Sequence, residues 1–189
     1  MGFYDAIRVG ASGAAADFTV DRSLRFGGDA YLGKTPSTAG NRHKWTWSAW
    51  VKRSKLGAVQ DLFSAYDGSA YNIIRFGSDD QLNFQSNSAA IKETSRVFRD
   101  TSAWYHIVVS VNTLNTTAAD RVIIYVNGSR ETLATDNTVN FGIQYAMNST
   151  QAHTIGVYAN SSSYKFDGYM AEIYFIDGQA LTPASFGET

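Results

Sequence analysis

Trp45-Thr46-Trp47-Ser48-Ala49-Trp50-Val51-Lys52-Arg53 alternates in character from one residue to the next. Side chains of a strand point to opposite faces with a period of two, so Trp45, Trp47, Ala49 and Val51 share one face and Thr46, Ser48, Trp50 and Lys52 the other. A strand that is large and apolar on one side and mixed on the other is a layer of a β-sandwich. The same pattern extends in both directions along the chain. Upstream, Leu24 and Phe26 alternate with Ser23 and Arg25, and Gly27-Gly28-Asp29 ends that run before Tyr31 and Leu32 begin another. Downstream, Leu62-Phe63-Ser64-Ala65 reads as a short buried run, followed by a polar, tyrosine-rich loop from Tyr66 to Tyr71. Ile73–Phe76 and Gln81–Phe84 flank Gly77-Ser78-Asp79-Asp80 and read as a hairpin.

The longest runs come next. Tyr105–Val111 sets Ile107, Val109 and Val111 on one face, and Arg121–Val126 does the same with Val122, Ile124 and Val126. Asn127-Gly128 then tolerates positive φ, so the chain is expected to fold back through Ser129 to Ala134. His153–Val157, a loop from Tyr158 to Tyr164, and Gly168–Ile176 complete the pattern, with one short helical turn expected at Leu181-Thr182-Pro183. No segment longer than about ten residues has the 3.6-residue period of a helix. About a dozen short strands without an internal repeat predict an all-β, antiparallel β-sandwich spanning residues 23–189. Residues 1–22, with Gly10 to Ala16 all small, read as an extended N-terminal arm.

Composition narrows the function classes. The 189 residues carry 16 Lys and Arg against 17 Asp and Glu, a net charge of −1 that supplies no field for nucleic acid or an anionic membrane. The 26 aromatic residues are enough for a sizeable core, and Gly, Ser, Thr and Asn together fill 62 positions, a strand-and-turn composition. Absence of cysteine removes disulfides, thiolate metal sites and a cysteine nucleophile. No apolar run reaches signal-peptide or membrane-span length, which predicts a soluble product without a cleaved leader or membrane insertion. The N-x-S/T triplets at Asn115, Asn127, Asn148 and Asn160 are what a chain rich in Asn, Ser and Thr produces by chance.

In order along the chain, Ser23–Phe26, Trp47–Lys52, Trp104–Val109, Ile124–Gly128, Ile155-Gly156 and Phe166–Ile173 resemble the motif series of the concanavalin A-like lectin/laminin G superfamily. Phe3-Tyr4-Asp5-Ala6 near the start and Phe175–Pro183 near the end are similar to a narrower group, the laminin G-like virion proteins of marine tailed bacteriophages. The resemblance implies a two-sheet jelly-roll arrangement of the sandwich and a non-enzymatic structural protein of the virion surface, assembled in the host cytoplasm and decorating the capsid or tail beside other virion proteins. A dedicated carbohydrate-binding adhesin of a tail fibre or spike is the alternative. A homo-oligomer and a host-surface glycan partner are compatible with either. Relatives of this group often run longer, so the chain reads as a single-module version or as a piece of a larger protein.

The residues themselves speak to chemistry. Glucanases of this superfamily carry two glutamates on one strand, because glycoside hydrolysis needs a paired acid and nucleophile. Glu93, Glu131, Glu172 and Glu188 lack that spacing, and His43, His106 and His153 lack zinc-ligand spacing. For His106, mid-strand, a hydrogen-bonded core role is expected. Laminin G-like domains often hold calcium at a rim loop, for which Asp79, Asp80 and Asp136 are the candidates ahead of Asp67 and Asp167; each is also an ordinary turn former. A sugar site needs exposed rings and short polar groups, and Tyr66, Tyr71, Asn72, Tyr158, Asn160 and Tyr164 offer both in the expected loops. Simple loop packing is the competing explanation for those tyrosines.

Overall fold

In the computed structural model, which describes residues 22–87 and 89–187, the tryptophan-rich segment is a ten-residue strand, β3 (Lys44–Arg53), deep in one of two sheets. Thirteen strands are present among the described residues. Before β3 come β1 (Leu24–Gly27) and β2 (Leu32–Lys34); after it come β4 (Gln60–Tyr66), β5 (Tyr71–Phe76), β6 (Gln81–Ser86) and β7 (Ala89–Val97). The second half adds β8 (Tyr105–Asn112), β9 (Val122–Val126), β10 (Ser129–Arg130), β11 (Leu133–Asp136), β12 (His153–Ile155) and β13 (Asp167–Asp177). A six-stranded sheet runs β1-β13-β3-β8-β9-β10 and a seven-stranded sheet runs β11-β7-β6-β5-β4-β12-β2. Among the described residues helix is confined to two 3-10 turns, Ala118–Asp120 and Pro183–Phe186, the second at the turn expected near Pro183. Of the arm expected over residues 1–22, only the exposed Arg22 is described.

The alternation read from sequence fixes which side chains meet between the sheets. Trp45, Trp47, Ala49 and Val51 of β3 face inward, as do Ile107, Val109 and Val111 of β8 and Val122, Ile124 and Val126 of β9. Phe26, Phe63, Phe76 and Phe84 close the core from the other strands and Phe166 from the segment before β13, with Trp45 edge-on to Phe84 at 6.0 Å and stacked on Phe175 at 5.5 Å. Both expected hairpins form, β5–β6 around Gly77–Asp80 and β9–β10 around Asn127-Gly128, where φ is +49° and +77°, but the second returns only through Ser129–Arg130, since Leu133 and Ala134 cross to β11 and pair with β7 in the other sheet.

One strand departs from strict alternation. Met170 pairs with Val51 and Phe175 with Trp47, both toward the core, although they are five residues apart on β13 and their partners only four apart on β3. An extra residue between Ala171 and Tyr174 absorbs the difference as a β-bulge, with Glu172 at φ +47°. Charge is also folded inside. Arg53, at the inner end of β3, donates to the Phe98 carbonyl at 2.7 Å and to Asp80 at 2.9 Å, and its guanidinium lies 4.3 Å from the centre of the Phe76 ring. Asp80 also accepts from the Gly57 amide at 2.8 Å and from Arg99 at 2.9 Å, so one buried carboxylate ties β3, the β5–β6 turn and the segment after β7 together.

Candidate binding site

Five of the six residues singled out for a sugar lie on the outer face of the seven-stranded sheet. Tyr66 ends β4 and Tyr71 begins β5, where they are cross-strand partners on either side of a tight turn, so they belong to strands and not to the loop expected for them. The next outward pairs are Ser64 with Ile73 and Asp61 with Arg75, and β6 continues the rows with Gln85 and Asn83. Over this face passes the loop after β12. Gly156, at φ +86°, turns the chain where a Cβ would meet the Phe26 ring at 2.7 Å. Ser64 then holds the loop twice, donating to the Val157 carbonyl at 2.9 Å and accepting from the Ala159 amide at 2.8 Å.

That anchoring brings Tyr158 edge-on to Tyr71 at 5.4 Å and Tyr164 to within 6.1 Å of Tyr158. Tyr164, 47% exposed and at φ +56°, is fixed by its carbonyl accepting from the Asp61 amide at 2.8 Å, and its ring covers the Arg75 guanidinium at 4.9 Å. Burial and the neighbouring Tyr71 push the Tyr158 hydroxyl up, while the Asn160 side chain bonded to it pulls the other way, which places Asn160 at the same cluster. Asn72 is the exception. As the successor of Tyr71 in a strand it points to the opposite side, where it is buried and accepts from the Ala146 amide.

The charged row beneath the rings was not among the sequence candidates. Arg75 grips both oxygens of Asp61, at 2.8 and 3.0 Å, and donates to Gln85 at 3.0 Å. Burial pushes the Asp61 carboxyl up to about 6, against the downward pull of Arg75. Asp61 sits within an apolar run and Arg75 alternates outward with Tyr71 and Ile73, so the signal lay in the period, but the pairing depends on a β4–β5 register that itself contains a bulge. The face therefore offers rings for a pyranose to lie on, amides and hydroxyls for its oxygens, and an ion pair neutralised within the protein.

The calcium candidates are not assembled. Asp80 is buried, and although burial opposes it, the Gly57 amide, Arg99 and Arg53 hold its carboxyl below the usual range. Asp79 receives the Gln81 amide at 3.1 Å in the hairpin turn, and Asp136 pairs with Lys92 on β11. Asp67 caps the turn to Ala70 and pairs with Arg42, and Asp167 pairs with Arg25. Among the described residues no three His, Cys, Asp or Glu side chains come together as a metal site. The histidines are dispersed as well: His43 lies beside Thr113 at 3.1 Å, and His153 accepts from the Asn148 amide at 2.9 Å. His106 is buried and bonded to Ser48 at 2.8 Å, but on the outer face of its sheet and not in the inter-sheet core.

Solved structures with this architecture include domain 4 of AbnA, an extracellular GH43 arabinanase from Geobacillus stearothermophilus, in complex with arabinotriose. Its TM-score is 0.64 at 21% identity, over 93% of this chain and 79% of that chain. The CBM40 of the Ruminococcus gnavus IT-sialidase, bound to α2,3-sialyllactose, aligns with TM-score 0.61 at 10% identity, over 86% and 93%. The heptameric SAP-like pentraxin of Limulus polyphemus aligns at 0.60 with 18% identity, over 87% and 79%. At such identities the likeness is one of fold. No curated protein matches the sequence. The model of a family described as the concanavalin A-like lectin/glucanases superfamily matches residues 26–185, most of the chain, and the protein belongs to that superfamily.

Proposed function

We propose that the domain is a non-catalytic carbohydrate-binding module whose site is the outer face of the seven-stranded sheet. One observation carries this reading: Tyr71, Tyr158 and Tyr164 are gathered by the loop after β12 beside the Arg75–Asp61–Gln85 row. Aromatic faces stack on the C–H face of a sugar while amides and hydroxyls pair with its rim. The neutralised Arg75 favours neutral sugars. The AbnA domain and the CBM40, solved with glycans, lend the reading support.

The purified chain on a glycan array, with and without calcium, tests it. The expected result is retention of neutral glycans and a loss of about tenfold in affinity for Tyr164→Ala. An array that retains none at high protein concentration would refute the assignment. Turnover of any retained glycan would overturn the non-catalytic part.

The setting we propose is the surface of a bacteriophage particle, capsid or tail, reached in the host cytoplasm during assembly. Its support is the similarity of Phe3–Ala6 and Phe175–Pro183 to laminin G-like virion proteins. Mass spectrometry of purified particles should find this chain among the virion proteins, and its absence would remove the setting while leaving the sugar site standing.

A further inference from the structure

The opposite outer face, that of the six-stranded sheet, carries a cleft of different chemistry. On this side β3 presents Trp50, Ser48 and Thr46, β8 presents His106, and the bulge of β13 turns Glu172 and Tyr174 outward together, Tyr174 donating its hydroxyl to Glu172. Glu172 adopts φ +47° within a strand, a left-handed conformation in which an L-residue is strained. The strain is spent on placing a carboxylate at a cleft of about 420 Å³.

Two ring pairs wall this cleft. Trp50 stacks on His106 at 5.1 Å, and Tyr174 stacks on Phe186 at 5.9 Å. Phe186 also meets His106 edge-on at 6.0 Å. The segment bearing Phe186 is pinned over the sheet by Thr46, whose hydroxyl donates to the Gln179 carbonyl and accepts the Leu181 amide, both at 2.8 Å. The walls are thus held by the fold before any ligand arrives.

The chemistry of the lining selects its occupant. Ring faces are electron-rich, and Glu172 is the one formally charged residue among those lining the cleft. Lys52, the next outward residue on β3, acts on Asp100. Sugar hydroxyls need many donors and acceptors, whereas here the Tyr174 hydroxyl is already committed to Glu172. Electron-rich walls, an apolar floor of Ile176 and Leu181, and one carboxylate match a cation that carries its charge on methyl groups. We propose that the cleft bounded by Trp50, His106, Glu172, Tyr174 and Phe186 binds a methylated ammonium group, independently of the sugar site on the other sheet.

Three small probes separate the contributions: tetramethylammonium, tert-butanol with similar shape and no charge, and ammonium with the charge and no methyl groups. In NMR titrations of the full chain, tetramethylammonium is expected to shift the Trp50 indole signal with a Kd of about 1–10 mM and the other two to bind at least about tenfold more weakly. Glu172→Gln, which keeps the shape, should weaken tetramethylammonium about fivefold to tenfold, and Trp50→Ala should abolish it. Tyr164→Ala should leave it unchanged. Equal affinity for tert-butanol, an unaltered Kd in Glu172→Gln, or no saturable shift up to about 50 mM probe would overturn the proposal.

Discussion

The two outer faces of this sandwich handle charge and aromatic rings in opposite ways. On the seven-stranded sheet the carboxylate of Asp61 is buried against Arg75, and the tyrosines stand above a pair that cancels itself. On the six-stranded sheet the carboxylate of Glu172 is exposed and accepts from the Tyr174 hydroxyl, and the rings stand around it as walls. The inner faces are both aliphatic and aromatic and do not differ in kind. The outward residues of β4, β5 and β6 and those of β3, β8 and β13 thus share one scaffold but not one chemistry.

The strongest way to break the comparison is to collapse both faces at once. Asp80→Ala leaves Arg53 buried without its carboxylate and is expected to cost about 3–5 kcal/mol in denaturant unfolding, with both ligand sites lost. A chain that unfolds at its native midpoint would show that the Arg53–Asp80 tie is not what joins the sheets.

Asp61 offers a subtler separation, through pH. Its folded pKa lies above the ordinary carboxylate value, so the folded state holds the proton more tightly than the unfolded chain between about pH 4 and 6. Stability attributable to Asp61 is therefore highest below that window, falls as pH rises through it, and is flat above. Relative to Asp61→Asn, the native chain should lose roughly 2–3 kcal/mol between pH 4 and pH 6, measured as urea midpoints at fixed pH. A constant difference across the window would mean that Asp61 is solvated.

Gly156→Ala acts on one face alone. It forces an L-residue to φ +86° against the Phe26 ring, at about 1–3 kcal/mol, and displaces the loop bearing Tyr158 and Tyr164. Glycan retention should vanish while tetramethylammonium titrates as before. Thr46→Val is the smallest and mirrors it: two hydrogen bonds to the crossing segment go, at about 1–2 kcal/mol, the cation Kd rises, and the sugar site is untouched. If either variant damages the far face, the two sites are coupled through the core.

Much of this architecture is written locally. Trp45, Trp47 and the valines of β8 and β9 announce their face by a period of two, and Asn127-Gly128 announces its turn by tolerating positive φ. What stays hidden is whatever depends on register. Strict alternation along β13 would send Met170 and Phe175 to opposite faces, and only the bulge reconciles them, so the outward Glu172–Tyr174 pair has no local signal. Tyr71 and Asn72 show the converse: neighbours in sequence, both of suitable chemistry, cannot share a site within a strand. The Asp61–Arg75 pair and the dispersal of Asp79, Asp80 and Asp136 follow from strand pairing and from competition by Arg53, Arg99 and Lys92, none of which spacing alone reveals.

Arg22 and Gly187 line two different clefts, and both clefts are bordered by Glu172. The first and last described residues thus lie beside the same residue of β13, in the sheet opposite the one whose β4 and β5 bear Tyr66 and Tyr71. Were copies held on one support through the segments beside Arg22 and Gly187, each would turn the tyrosine face the same way. Parallel presentation is the geometry in which linked copies of a weak site, such as the proposed sugar site, would gain effective concentration.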